Sequence, residues 1–132
     1  MTDELHALYR QRFDDEELSR KAEIWRVLCE DYFQQFVRPT DTVLDLACGT
    51  GEFINHISAA RRLGLDLRDD ACAALDPAVE FIKGAATDLS PIPSDYVDLV
   101  FTSNFLEHPR SKDELLDLFE QVRRVLRPGG AS

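Results

Sequence analysis

Three aspartates and two glycines carry most of the chemistry that this sequence can do. Asp45 lies near the end of the apolar run in VLDLACGTGEF, four residues before Gly49, and Gly51 follows two residues later. Asp66 ends RLGLDL, 66 − 45 = 21 residues further on, and Asp88 stands in GAATDLSPIP. A glycine turn after a strand lets a ligand approach the backbone, and the N–H groups that open the next helix suit a carboxylate or a phosphate.

Charge separates the candidate ligands. A carboxylate beside a pyrophosphate is repelled, by ~4 kcal/mol at about 4 Å with an effective dielectric of roughly 20. Beside an ammonium, the same carboxylate is attractive. A dinucleotide fingerprint also carries a third glycine three residues after the second, where this chain has Ile54. Asp45 and Ile54 therefore argue against an NAD-type oxidoreductase. The ligand that fits has a cation near Asp45 and a carboxylate at the helix N-terminus, and the methionyl part of S-adenosylmethionine has both. Asp66, on the adjacent strand, suits the two ribose hydroxyls, with charge-assisted bonds worth roughly 1.5–3 kcal/mol each. Asp88 suits the exocyclic amine of adenine, with Leu89 over the ring.

These residues need a frame that brings them to one edge. Residues 15–37 read as an amphipathic helix, with Leu18, Ala22, Trp25, Leu28, Cys29, Tyr32, Phe33 and Phe36 at spacings of three and four. Residues 1–14 are polar and read as a flexible N-terminus. Strands are expected over 42–47, 62–67, 79–83 and 97–102, and helices over 52–60, 69–75 and 111–126. Ser111 and Glu114 form a capping box for the last helix. Strands alternating with helices predict an α/β, Rossmann-like, doubly wound parallel sheet of order 3-2-1-4.

Composition narrows the class. The chain has 132 residues, 44% apolar and 30% charged, which predicts one globular domain. Its net charge is −10, and the basic runs are only Arg61-Arg62 and Arg123-Arg124, which argues against nucleic acid as a partner. No apolar run approaches the roughly 20 residues that cross a bilayer. The N-terminus is not a signal peptide, so no membrane and a cytoplasmic location are expected. Cys29, Cys48 and Cys72 have no CxxC spacing, so neither a disulfide framework nor a metal site is expected.

With these residues placed, the chain resembles the class I S-adenosylmethionine-dependent methyltransferases. It looks most like the small-molecule branch that includes ubiquinone and menaquinone biosynthesis enzymes. VLDLACGTGEF resembles the family's first motif, GLDL its second and GAATDLSPIP its third. YVDLVFTSNFLEH resembles the strand and loop beneath the cofactor, and VRRVLRPGG the helix and turn before the fifth strand. The resemblance implies that Asp45, Gly49 and Gly51 hold the methionine part, Asp66 the ribose, and Asp88 and Leu89 the adenine. Asn104 and Phe105 would line the floor near the methyl group. Ala47, where the family often has glycine, and Leu67, after the second acid, count with the cofactor-binding set. The expected reaction is methyl transfer to a small-molecule acceptor, and His108 is the candidate base, with Glu107 beside it.

The family's sheet continues with a fifth strand, and this sequence stops at RPGGAS, just where that strand is expected to begin. The expectation is a partial domain over 15–132, with strand four left as an open edge. A homo-oligomer or a partner chain would cover that edge. The alternative reading is a non-catalytic remnant or scaffold that a partner completes.

Overall fold

The computed structural model describes residues 3–103 and 110–131. Helix α1 (Asp3–Asp31) is followed by a 3-10 turn (Phe33–Phe36) and strand β1 (Thr42–Leu46). Next come β2 (Arg61–Asp66), α2 (Asp69–Ala74), β3 (Glu80–Lys83), β4 (Val97–Phe101), α3 (Lys112–Val125) and β5 (Leu126–Ala131). The five strands form one parallel sheet in the order β3-β2-β1-β4-β5. The expected order 3-2-1-4 is present.

The strand-four edge is corrected. LRPGGA follows α3 directly and runs parallel to β4, pairing Val97 with Leu126 and Leu99 with Ala131 across an irregular register. Pro128 and the two glycines read as a turn. An edge strand tolerates them, because its outer N–H groups have no ladder partner. β4 is therefore an interior strand, and the sheet edge lies at β5. Residues 3–14 are helical backbone continuous with the rest of α1.

Parallel central strands are buried on both faces, and all five residues of β1 are buried. Side chains alternate between faces. Leu44 and Leu46 of β1 meet Leu63 and Leu65 of β2 and the α3 residues Leu118, Val122 and Val125. Val43 points to the opposite face, with Cys29, Cys48, Phe53, Ile54, Ile57 and Leu75. On that face Phe53 and Phe101 stack with centroids 3.8 Å apart, and Phe33 meets each edge-on at 5.6 and 5.5 Å. Such pairs add roughly 0.5–1.5 kcal/mol each beyond burial. The helix expected over 15–37 ends at Asp31, and its buried stripe is narrower than expected: Cys29 is buried and Trp25 half-buried, while Leu18 and Leu28 are exposed; beyond it Phe33 is half-buried and Tyr32 and Phe36 are exposed.

The capping box is half realised. Ser111 Oγ accepts from Glu114 N at 3.1 Å, but the Glu114 carboxylate accepts from Arg110 N at 3.3 Å, not from Ser111. Ser111→Ala is expected to cost about 1 kcal/mol, read as a lower urea midpoint with an unchanged m-value. At the amino-terminal rim of the sheet, Asp98 Oδ2 accepts from Thr42 N at 2.8 Å. The same carboxylate forms an ion pair with Arg127 of β5 at 3.2 Å. One β4 side chain thus ties both neighbouring strands.

Candidate functional site

The carboxyl ends of β1 and β2 bring two of the aspartates together. Asp45 is in register with Gly64, so Asp66 lies two residues further along the same face of β2. Gly64 leaves room on that face: a Cβ there would come within 3.1 Å of Cys48 Sγ and 3.2 Å of Leu75 Cδ1.

The turn between β1 and the next segment is held by its neighbours. Cys48 N donates to Leu65 O at 3.0 Å and Gly51 N to Cys48 O at 3.0 Å. Asp66 Oδ2 accepts from Gly49 N at 2.9 Å, and its Oδ1 accepts from Arg68 N at 3.0 Å. Each carboxylate oxygen keeps acceptor capacity for a further donor. Ala47 has φ 56, a left-handed conformation that costs an alanine roughly 1–2 kcal/mol. That is the cost of a methyl group where the family often has glycine.

The helix expected over 52–60 is a single turn. Asn55 N donates to Gly51 O at 2.9 Å and Ile57 N to Phe53 O at 3.1 Å, and the pattern then stops. Its next acceptors are taken: Arg62 Nη1 donates to Ile54 O at 2.9 Å and to Asn55 O at 3.2 Å. Gln34 holds Ser58 from both sides, donating to its carbonyl at 2.8 Å and accepting from its N–H at 2.9 Å. Asn55 ties the turn to the end of α2, accepting from Asp76 N at 2.8 Å and donating to Ala74 O at 3.0 Å. A carboxylate-receiving helix N-terminus, one half of the sequence expectation, is thus reduced to one turn.

Asp45 is 3% exposed. Burial, with the nearby Glu52 and Asp66 carboxylates, pushes its carboxyl well above the ordinary aspartate range, and a hydrogen bond from the Ile54 backbone opposes this. Glu52 bonds the Thr50 hydroxyl at 2.8 Å and pairs with Lys21 of α1 at 3.0 Å. Burial would raise the Glu52 carboxyl, yet hydrogen bonds from its own backbone N–H, Thr50 and Lys21 leave it below its usual value. The same environment silences the thiols. Burial, with Asp45 next, pushes Cys48 up to about 12 and Cys29 to about 11. Cys48 is a small residue that fits the turn, not a nucleophile.

The other expected site residues fall in different places. Leu67 is 64% exposed beside Asp66. Asp88 is exposed, and its Oδ1 accepts from Ser90 N at 3.0 Å; that bond and the Ser90 hydroxyl hold its carboxyl below the usual range. Leu89 is fully buried in the α3-side core. Its N–H donates to Gln121 Oε1 at 2.6 Å and its carbonyl accepts from Arg124 at 2.7 Å. Its side chain offers no free surface to a ring, so the neighbouring Asp88 alone faces outward. Asn104, Phe105, Glu107 and His108 lie outside the described residues. Glu52 and Arg62 were not expected at the site. Glu52 is legible in GTGEF as a third acid beside the glycines, whereas the role of Arg62 depends on the helix ending early.

Among the described residues no group of His, Cys, Asp or Glu could hold a metal ion, and no helix is long and apolar enough to cross a membrane. Carboxylates beneath and beside the turn, with Lys21 bound to one of them, suit a cationic ligand group and not a phosphate.

Comparison with known proteins agrees with this arrangement. Residues 43–130 match the methyltransferase domain family model. The "Probable methyltransferase ltbC" of Aspergillus luteorubrus is 30% identical over 112 residues, covering 72% of this chain and 39% of that protein. The "Probable tRNA methyltransferase 9B" of Mus musculus is 25% identical over 105 residues, covering 74% of this chain and 22% of that protein. A crystal structure of an S-adenosylmethionine dependent methyltransferase from Mesorhizobium loti superposes with a TM-score of 0.59 at 28% identity, over 73% of this chain and 47% of that one. The chain spans less than half the length of these relatives. From β1 to β5, over residues 43–130, the chain belongs to the methyltransferase domain family.

Proposed function

We propose that this chain binds S-adenosylmethionine and, as part of a methyltransferase, transfers its methyl group to a small-molecule acceptor in the cytoplasm. One observation carries the reading: a buried carboxylate, Asp45, lies under a glycine turn whose rim holds two more carboxylates. Such a site favours a ligand with a positive end. Similarity to a protein described as S-adenosylmethionine dependent supports the choice of cofactor.

The roles proposed are those the motif resemblance implies. Asp45 attracts the ammonium. Asp66 accepts the ribose hydroxyls with the acceptor capacity left after Gly49 and Arg68. Asp88 directs its second oxygen to the adenine amine, and Leu67 covers the ring edge. By the motif resemblance, Asn104 and Phe105 would line the methyl end and His108 would be the base for an acceptor that must lose a proton. The bound cofactor supplies a methyl group on a cationic sulfur. The protein's task is alignment, and proximity of this kind supplies roughly 7–11 kcal/mol. The net charge of −10 favours a small acceptor over a polyanion. The motifs resemble the quinone-forming branch, which takes small acceptors.

Calorimetric titration with S-adenosylhomocysteine tests the reading. Asp66→Ala is expected to weaken binding at least tenfold, since it removes a charged acceptor worth roughly 1.5–3 kcal/mol. Equal affinity would displace the ribose contact. Binding of NADH in place of S-adenosylhomocysteine would turn the assignment to an oxidoreductase.

A further inference from the structure

We propose that Lys21 of α1 is a positioning residue for the ligand: through Glu52 it clamps Thr50, and so sets the shape of the glycine turn that meets the amino acid end of S-adenosylmethionine. The inference rests on the function proposed above. It gives a part in binding to α1, which lies before the segment, residues 43–130, that matches the family model.

The turn is the soft part of the site. Gly49 and Gly51 both have positive φ, 56 and 85, and glycine reaches many other conformations at little steric cost. Thr50 stands between them, so a tether on its side chain selects one shape of the turn. The tether is Glu52, whose Oε1 accepts from Thr50 Oγ1 at 2.8 Å and meets Lys21 Nζ at 3.0 Å. One carboxylate oxygen is thus shared by the turn and by α1. The Glu52 backbone is fixed beside it, with the His56 Nδ1 atom 2.7 Å from its carbonyl oxygen.

α1 is placed to hold that oxygen. Lys21, Trp25 and Cys29 recur every four residues and share one face of the helix. The two later members anchor the face. Trp25 stacks on Phe33 with centroids 6.4 Å apart and meets Phe101 edge-on at 6.2 Å. Cys29 Sγ lies 3.6 Å from Phe53 O. Toward the amino terminus the packing thins. A cavity of about 110 Å³ lies between Leu18 and Ala22 of α1 and Gly51 and Asn55 of the turn, and Leu18 is exposed. The Lys21–Glu52 pair spans this opening. A turn already shaped spares the ligand the cost of ordering it, and by reciprocity a bound ligand tightens α1 on the turn. The effect falls on the part of the ligand that the turn holds.

The two probes are S-adenosylhomocysteine and 5′-methylthioadenosine, which shares the nucleoside and thioether but lacks the amino acid end. Lys21→Met is expected to weaken S-adenosylhomocysteine about fivefold, the upper range for a partly exposed ion pair, and to leave 5′-methylthioadenosine unchanged. Lys21→Arg keeps the charge and is expected to keep most of the affinity. In a Glu52→Gln background, Lys21→Met is expected to cost nothing further, because the two act as one pair. Trp25 is the chain's one tryptophan and lies one helical turn from Lys21, so its emission reports how α1 sits. Saturating S-adenosylhomocysteine is expected to shift that emission to shorter wavelength in the unaltered chain and not in Lys21→Met. Unchanged affinity in Lys21→Met overturns the inference and leaves the proposed function standing. So does an equal loss with both probes, which marks a merely structural role, or a full additional loss in the Glu52→Gln background. Failure of S-adenosylhomocysteine to bind the unaltered chain overturns the proposed function, and the inference with it.

Discussion

Asp45→Asn is expected to stabilise the free protein while weakening S-adenosylhomocysteine about 10–100-fold. The two effects have one cause. Burial and the nearby Glu52 and Asp66 raise the Asp45 carboxyl, so the native state binds a proton that the unfolded chain has already released. Stability therefore falls as pH rises from the ordinary aspartate value through the raised folded value. Asparagine removes that penalty and can keep the hydrogen bond from Ile54. Its amide can donate to the neighbouring carboxylates. The gain in the melting temperature of the free protein is expected to be larger at pH 8 than at pH 5. The loss in affinity follows from removing a charge-assisted contact worth roughly 1.5–3 kcal/mol. Thermal melts at both pH values, paired with calorimetry, check this. A variant that lost stability at pH 8 would show that the carboxylate is held by a partner other than these neighbours. Conflict between stability and activity is common where a site keeps an unfavourable group for its ligand.

Gly51→Ala is expected to be the most damaging single methyl group in the glycine turn. At φ 85 an alanine is strained, and its Cβ would lie 2.6 Å from Asn55 Nδ2 and 2.7 Å from Leu75 Cδ2. Left-handed strain costs roughly 1–2 kcal/mol and overpacking another 1–3, about 3 kcal/mol together. For a chain of this size that lowers the melting temperature by about 10 °C. Asn55 cannot simply turn aside, because it bridges Asp76 N and Ala74 O. Gly129→Ala is the control. Its φ is also 85, but nothing lies within 4 Å of the added atom, so only the strain remains, about 1 kcal/mol. Equal losses in the two variants would mean that the contacts around Gly51 are softer than their distances imply.

The sheet was legible in sequence because its strands are short apolar runs, and burial on both faces demands that composition. The last helix was legible because Leu118, Val122 and Val125 repeat at helical spacing above a charged outer face. What could not be read was where the chain's hydrogen bonds go. The pattern Phe53, Ile54, Ile57 fits a helix, yet Arg62 and Gln34, both remote in sequence, take the groups that would extend it. LRPGGA has turn composition but lies along β4, because an edge strand need satisfy only one side. Leu89 follows an acid in a loop, which suited a ring contact, and nothing local reveals that its side chain turns into the core. The acids were legible as a set since charge needs no geometry to restrict a ligand. Their separate tasks were not: Asp66 proves to hold the turn, accepting from Gly49 N.

Asp98 has a consequence for how changes at the two ends of the sheet combine. The carboxylate that aligns β1 and β5 on β4 acts at the amino-terminal rim, while Asp45 and Asp66 lie at the other. Adjustments to one rim can therefore accumulate without retuning the other, and their effects should add. A lineage could trade strand alignment against robustness at Asp98 while recognition at the opposite end stayed fixed, which is how one scaffold comes to serve many chemistries.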